Sequence, residues 1–258
     1  MGEGHEEGGN FQKNDGHAER TLAMRLLIAT FLLWCSPALG QDMFAPFILT
    51  ADSAPVAWSK LGSSTTIEMP MYQNSYAFNY TVTAGADLLT VSIASYDAGG
   101  VSAITFNGDA MTKAADTYTS YVENFRAQVW YLSNPDVGTY SVSMTFSQQI
   151  TNLVAGASHF DGIAVSSPVR DTGLNGGSST SPSASVDAAQ SGDLIIGAVV
   201  ANGGTLSTAD TEDWEEYHNA DNMIGGGIRK LATGAAMTTS WTSGNVDWYA
   251  ICVAFKLQ

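Results

Sequence analysis

Apolar and polar residues alternate with a period of two along most of this chain, and β-branched or aromatic residues fill many apolar positions. This pattern is typical of half-buried β-strands. In Thr139–Phe146, for example, the aromatic and apolar side chains fall on one face and Ser or Thr on the other. The pattern predicts strands at Pro46–Ala51, Thr65–Met69, Tyr76–Val82, Leu88–Tyr96, Ser102–Phe106, Ala110–Ala114, Phe125–Ser133, Thr139–Phe146, Asn152–Phe160, Ser183–Val186, Leu194–Ala201, Ile228–Leu231, Met237–Thr242 and Trp248–Phe255.

Turn-forming residues separate these strands. Asn107-Gly108 is the strongest signal, because both residues tolerate the positive φ that a tight hairpin requires. Asn134–Gly138 indicates a longer turn. Few stretches show a helical period, so the sequence predicts an all-β fold, either an antiparallel β-sandwich or a closed barrel.

Two segments are apolar on both faces, Leu153–Ala157 and Leu194–Ala201. A strand of this kind is covered on both sides. We therefore expect these strands at the centre of a sheet, covered by packing within the chain or by neighbouring subunits.

Residues 87–162 and 193–258 share an order of features. Each segment opens with Asp-Leu and an apolar residue, continues through a Ser/Thr-rich strand that contains an aromatic, and ends on a strand of small residues. We interpret them as two pseudo-repeated halves that form one sandwich, although unrelated β-strands also share such patterning. The Ser/Gly/Pro-rich segment 166–187 between them is predicted to be a linker.

A resemblance to a known module is carried by the motifs Val101–Gly108, Val129–Pro135, Gly192–Leu194, Ser240–Thr242, Trp248 and Val253–Lys256. It covers residues 85–258 and leaves residues 41–84 outside. The chain resembles a widespread, poorly characterised β-sandwich module of secreted and surface bacterial proteins and of phage-associated proteins. The resemblance implies a jelly-roll-like sandwich found beside binding or adhesion modules, and it carries over no catalytic residue.

Residues 24–40 have the parts of a secretory signal peptide: Arg25, the apolar run Leu26–Trp34, and small residues at Ala38 and Gly40. The apolar run is shorter than the roughly 20 residues that span a bilayer. Residues 1–23 form a polar extension, which is either an incorrectly assigned start or a cytoplasmic tail. We expect a secreted protein, extracellular or at the cell surface, with no membrane insertion after cleavage.

The net charge and the cysteine content of the chain limit the partners and the covalent cross-links that it can have. The chain has 258 residues and a formal net charge of −15, which makes nucleic acid a poor partner because phosphate binding needs clustered cations. Removal of the signal peptide leaves Cys252 as the one cysteine, so no internal disulfide can form. Cys252 lies in an apolar strand, where a buried inert thiol is expected.

Few residues offer catalytic chemistry. Ser158, His159 and Asp161 lie along one predicted strand, where neighbours point to opposite faces, so they cannot form a triad among themselves. We interpret His159 as structural, and we assign no catalytic residue.

An acidic cluster is the densest concentration of functional groups. Its oxygen ligands suit Ca²⁺, for which the candidates are Asp210, Glu212, Asp213 and Glu216. The alternative is a solvated loop or an edge strand whose charges prevent sheet-to-sheet aggregation. A glycosidase carboxylate pair drawn from Glu212, Glu215 and Glu216 is a weaker hypothesis.

Four aromatic residues lie in or beside loop-like stretches: Trp214 and Tyr217 among the acids, and Tyr118 and Tyr121 in a second stretch. Sugars stack on exposed aromatic rings, so these four are the candidate glycan-binding residues. The alternative is that the rings fold inward and cover the ends of the sandwich.

The apolar segment Gln41–Ala51 follows the predicted cleavage site. This N-terminal arm could pair with its own sheet or donate a strand to a neighbouring subunit. Three functions follow: extracellular recognition or adhesion, with a glycan or surface polymer as partner; a self-assembling filament or coat subunit that forms a homopolymer; and, as the weakest, a polysaccharide-acting enzyme.

Overall fold

The structure, a computed structural model, describes residues 57–69, 72–96, 99–118, 125–218 and 222–258, without the side chains of residues 216–218. The described residues form strands and no helix, which confirms the all-β prediction. Among them, therefore, no helix is long and apolar enough to cross a membrane. The polar extension, the signal peptide, the N-terminal arm and the strand Pro46–Ala51 lie outside the described residues.

The first half of the described chain contains nine strands and the second half contains seven. The first half is formed by β1 (Ser59–Glu68), β2 (Gln73–Val82), β3 (Leu88–Tyr96), β4 (Val101–Phe106), β5 (Asp109–Ala110), β6 (Thr112–Asp116), β7 (Phe125–Ser133), β8 (Gly138–Ile150) and β9 (Asn152–Asp161). The second half is formed by β10 (Val169–Ser179), β11 (Ser183–Val186), β12 (Leu194–Ala201), β13 (Thr211–His218), β14 (Met223–Leu231), β15 (Met237–Ser240) and β16 (Val246–Phe255).

Each sheet is built from one half of the chain, and all described pairings are antiparallel. The first half forms a five-stranded sheet, β1-β9-β3-β7-β6, and a four-stranded sheet, β2-β8-β4-β5. The second half forms a five-stranded sheet, β10-β16-β12-β14-β13, and a two-stranded sheet, β11-β15. In both halves the first strand pairs with the last and the second with the last but one. This interleaving is the jelly-roll arrangement.

Three apolar cores separate the four sheets. The middle core lies between the two five-stranded sheets, and each outer core lies between a five-stranded sheet and its smaller partner. Strand β12 shows why its residues are apolar on both faces: Leu194 and Ile196 enter the middle core, whereas Ile195 and Val199 enter an outer core. The predicted central position of this strand is therefore confirmed.

The two halves meet in a way that resembles a symmetric dimer within one chain. Edge strand β1 faces β13, and edge strand β6 faces β10. Since β1 and β10 hold the same place in their sheets, as do β6 and β13, both contacts join the same pair of edges. This is the relation that a two-fold axis produces in an isologous interface.

The Asn107-Gly108 hairpin forms as predicted, with φ of 51° and 91° at its two residues. The prediction of a linker at residues 166–187 is wrong, because β10 and β11 occupy most of that segment. Small residues occur in β10 because β11 packs closely against this strand. At Gly173 a Cβ atom would overlap the carbonyl oxygen of Ser185 in β11.

Candidate functional site

The most exposed of the predicted glycan-binding residues in the described part is Tyr118, at the end of β6. Its side chain is 62% exposed, and the guanidinium carbon of Arg126 lies 4.6 Å from the ring centroid. A cation at this distance attracts the π face and holds the ring in place. Tyr118 therefore offers solvent an aromatic surface whose orientation is set before a ligand arrives.

Arg126 is itself fixed by Asp116 on the neighbouring strand. Its Nε donates to one carboxylate oxygen at 2.6 Å and its NH2 group to the other at 2.5 Å. The Tyr118 amide donates to the first of these oxygens at 3.0 Å, and Lys113 Nζ to the second at 2.8 Å. Tyr118, Arg126, Asp116 and Lys113 together are called the Tyr118 platform below.

The electrostatics of the platform follow from this geometry. Burial raises the pKa of Asp116, but the hydrogen bonds from Arg126 and Lys113 outweigh it and lower the pKa to about 2. The carboxylate therefore stays ionised at neutral pH and anchors both cations.

A buried glutamine holds the platform from below. Gln128 is fully buried, and its amide group exchanges two hydrogen bonds with the backbone of Val101, at 2.9 and 3.0 Å. Its Nε2 also donates to Asp116 at 2.9 Å. The platform thus rests on strands rather than on a loop, which favours precise positioning.

The predicted acidic cluster lies mainly on β13, an edge strand. There β13 contains an extra residue relative to β14, so Asp213 and Trp214 both reach β9 of the facing sheet. Asp213 accepts hydrogen bonds from Lys60 at 2.5 Å, Arg229 at 2.6 Å and Ser158 at 2.5 Å. With a side chain only 6% exposed, Asp213 joins the two halves through a buried ion cluster.

These contacts bear on the calcium candidates. Asp213 is neutralised by Lys60 and Arg229, and Asp210 is paired with Lys230 at 3.1 Å. No group of three metal-ligating side chains occurs among the described residues. Glu212 is exposed, and the side chain of Glu216 lies outside the described part, so Ca²⁺ binding stays a prediction.

Trp214 is not an exposed stacking residue. It is 4% exposed and belongs to the middle core. Its ring occupies space left by Gly156 of β9 and Gly227 of β14, where any Cβ atom would overlap it. The inward orientation considered for the aromatic residues therefore applies to Trp214. Tyr121 and the side chain of Tyr217 lie outside the described residues, so Tyr118 is the candidate whose exposure is established.

Ser158 and His159 point to opposite faces of their sheet, as their adjacent positions predict. Ser158 bonds to Asp213 in the facing sheet of the other half, whereas His159 Nδ1 lies 2.8 Å from the Tyr80 hydroxyl in the smaller sheet. The thiol of Cys252 is fully buried, which raises its pKa to about 11. This placement agrees with the expected inert thiol.

The sequence did not single out Arg126 as the partner of Tyr118 or Lys113 as a partner of Asp116. The β6–β7 register holds the signal that could have found Arg126. Because Asp116 pairs with Gln128, continuing the ladder by two residues places Tyr118 opposite Arg126. No family model, curated protein or solved structure matches this chain.

Proposed function

We propose that this protein is a secreted, non-enzymatic β-sandwich that recognises a glycan or surface polymer outside the cell, and that the Tyr118 platform is its contact site. The observation that carries the proposal is the exposed Tyr118 ring, held by Arg126 on strands that are themselves fixed. A pyranose presents a flat face of C–H groups that packs on such a ring. The guanidinium of Arg126 lies against the ring and the ammonium of Lys113 is bound to the same Asp116 carboxylate, and both groups are donors for hydroxyl oxygens.

The testing experiment is a glycan-array screen followed by titration calorimetry on the best ligand. We expect Tyr118→Ala to weaken binding at least tenfold and Tyr118→Phe to retain most of it, because the ring supplies the contact. Tyr72→Ala is the matched control, since Tyr72 is 60% exposed and lies outside the platform. Equal binding by Tyr118→Ala would remove the platform from the proposal, and a screen without any ligand would count against recognition of glycans.

A second candidate function is assembly into an extracellular filament or coat through donation of the N-terminal arm. The observation that favours it is the open edge formed by β10, which carries no charged residue after Asp171. Deletion of residues 41–50 should then leave monomers, as judged by light scattering. Polymers formed by the deletion variant would refute strand donation.

An enzyme remains the weakest candidate. Partial burial and the neighbouring Glu212 carboxylate raise the pKa of Glu215, which is the direction required of a general acid. Glu215 nevertheless lies exposed on an edge strand. Hydrolysis of a polysaccharide that is lost in Glu215→Gln would establish this function.

A further inference from the structure

The two five-stranded sheets have four outer strands, and three of them carry charged side chains along their length. Strand β1 contains Lys60 and Glu68, β6 contains Lys113 and Asp116, and β13 contains at least Glu212 and Glu215. Charges on edge strands, together with bulges such as those in β6 and β13, discourage another strand from pairing there. These three edges are therefore protected.

Strand β10 is different. Its two charged residues, Arg170 and Asp171, and its bulge lie at its first three positions. From Asp171↔Ala254 to Ser179↔Val246 its ladder with β16 runs without interruption, and no charged residue follows Asp171. Leu174, near its middle, is 47% exposed. From Thr172 to Ser179 the edge has no charge and no bulge, and with the exposed Leu174 it is a surface on which a further strand can pair.

The outward backbone donors of β10 can be identified from two local hydrogen bonds. The Thr172 amide donates to Asp171 Oδ1 at 2.9 Å, and the Gly176 amide donates to Asn175 Oδ1 at 3.0 Å. These two amides therefore point away from β16, and the alternation of a strand gives the amides of Leu174 and Ser178 the same direction. An added strand would find four outward donors, two of which are held only by the preceding side chain.

The N-terminal arm has the properties of such a strand. Its sequence, QDMFAPFILTA over Gln41–Ala51, is apolar and has Asp42 as its one charge. Pairing with β10 would bring apolar side chains of the arm beside Leu174. The uncharged edge and the uncharged part of the arm therefore match in chemistry and in length.

Chain length decides whose β10 the arm can reach. The described chain begins at Ala57 beside β1, and β10 lies at the opposite edge of the facing sheet. Crossing four strand spacings takes about 19 Å, and the sheets are separated by about 10 Å, so the straight distance is about 22 Å through the core. The six residues from Ala51 to Ala57 extend to about 21 Å at most. A path around the surface is longer, so the arm cannot pair along its own β10.

We propose that the β10 edge of one copy accepts residues 44–50 of another copy as an added strand. The proposal rests on the second candidate function and specifies its acceptor. Repetition of the contact joins copies head to tail, which generates a filament or a ring.

The experiment measures the mass of the full chain by light scattering over a range of concentrations, with negative-stain microscopy of the largest species. Leu174→Lys places a charge on the edge, and Ser178→Pro removes an outward donor without touching the β16 ladder. Leu231→Lys is the matched control, because Leu231 is 49% exposed and does not lie on β10. We expect concentration-dependent polymers from the unmodified chain and from Leu231→Lys, and monomers from both edge variants and from the deletion of residues 41–50.

A second measurement separates the donor from the acceptor. A fluorescent peptide with the sequence of residues 41–51 should bind the deletion variant, with at least a tenfold loss of affinity when Leu174→Lys is added. Monomers from the deletion together with polymers from both edge variants would leave strand donation intact and overturn β10 as the acceptor. A monomeric unmodified chain at every concentration overturns the proposal and the second candidate function together, and neither result bears on glycan binding by Tyr118.

Discussion

The tautomer of His159 follows from its hydrogen-bond partners. Its Nε2 lies 3.1 Å from the Thr83 amide nitrogen, which can only donate, so Nε2 accepts and the proton is on Nδ1. Nδ1 then donates to the Tyr80 hydroxyl at 2.8 Å. A second proton would have to take the position that the Thr83 amide occupies. His159 is therefore a structural residue held in its neutral form.

This geometry predicts a pH dependence of stability. Burial and the nearby Lys60 lower the pKa of His159 from 6.5 in the folded chain. Between this lowered pKa and pH 6.5, the unfolded chain therefore binds a proton that the folded chain does not bind. The contribution of His159 is complete above pH 6.5 and is lost as the pH falls through the lowered pKa. Urea unfolding between pH 7.5 and pH 5 should show this decline, and His159→Gln should flatten it. An equally steep decline in His159→Gln would assign the effect to other groups.

Asp213 joins the two halves at the edge where β1 faces β13. We expect Asp213→Ala to lower the free energy of unfolding by about 3 kcal/mol, because it leaves two cations partly buried without their partner. This is the lower end of the usual range, since the side chains of Lys60 and Arg229 keep 15% and 21% of their exposure. Glu212→Ala, at the exposed neighbouring position, should change stability by less than about 0.5 kcal/mol. Equal effects in urea unfolding would contradict the buried ion cluster.

A further prediction about the free energy of unfolding concerns Trp214, which lies in the middle core. Trp214→Ala should cost about 3–5 kcal/mol, the range for removing a large buried aromatic side chain. Gly227→Ala should also destabilise the protein, because its Cβ atom would overlap the indole. Since both changes act on the same space, the double variant should lose less stability than the sum of the two. Strict additivity in unfolding measurements would show that the two positions are independent.

At the scale of the elements, the strands that could be predicted were those whose own pattern of apolar residues shows which of their faces are buried. The apolar runs of β9 and β12 predict central strands, because only a strand covered on both faces needs two apolar faces. Strand β10 was missed because its Gly and Ser residues also suit a linker, and only β16 and β11 reveal why they are small. For Trp214 the sequence left an inward and an exposed orientation open, because the space for the ring is created by glycines in other strands.

Hydrogen exchange tests the assignment of β10. If the even-numbered amides point outward, those of Gly173, Asn175 and Gly177 face β16 and exchange slowly. We expect an alternating pattern of protection over residues 172–178 in NMR exchange measurements on the deletion variant that lacks residues 41–50. Uniformly fast exchange would indicate that these residues form the linker predicted from the Ser/Gly/Pro-rich composition of segment 166–187.

At the scale of the whole molecule, the two halves share a feature of strand register as well as their strand order. The ladder of β6 with β7 is displaced by one residue between Lys113 and Ala115, and that of β13 with β14 between Glu212 and Trp214. The extra residue thus occurs at the same level of equivalent edge strands. The chemistry at the two positions differs, because the extra residue is Ala114 in the first half and Asp213 in the second.

The shared middle core predicts that the two halves unfold together. Each five-stranded sheet contributes apolar side chains to this core, so unfolding of one half would expose the inner face of the other to water. The outer cores offer a matched pair of probes, because Ile104 and Ile195 are 1% and 0% exposed and lie in different halves. Ile104→Ala and Ile195→Ala should each cost about 2–5 kcal/mol and shift one single transition, observed identically by circular dichroism and tryptophan fluorescence. Two separate transitions, of which each variant moves only one, would show that the halves are independent units and that the middle core contributes little to their stability.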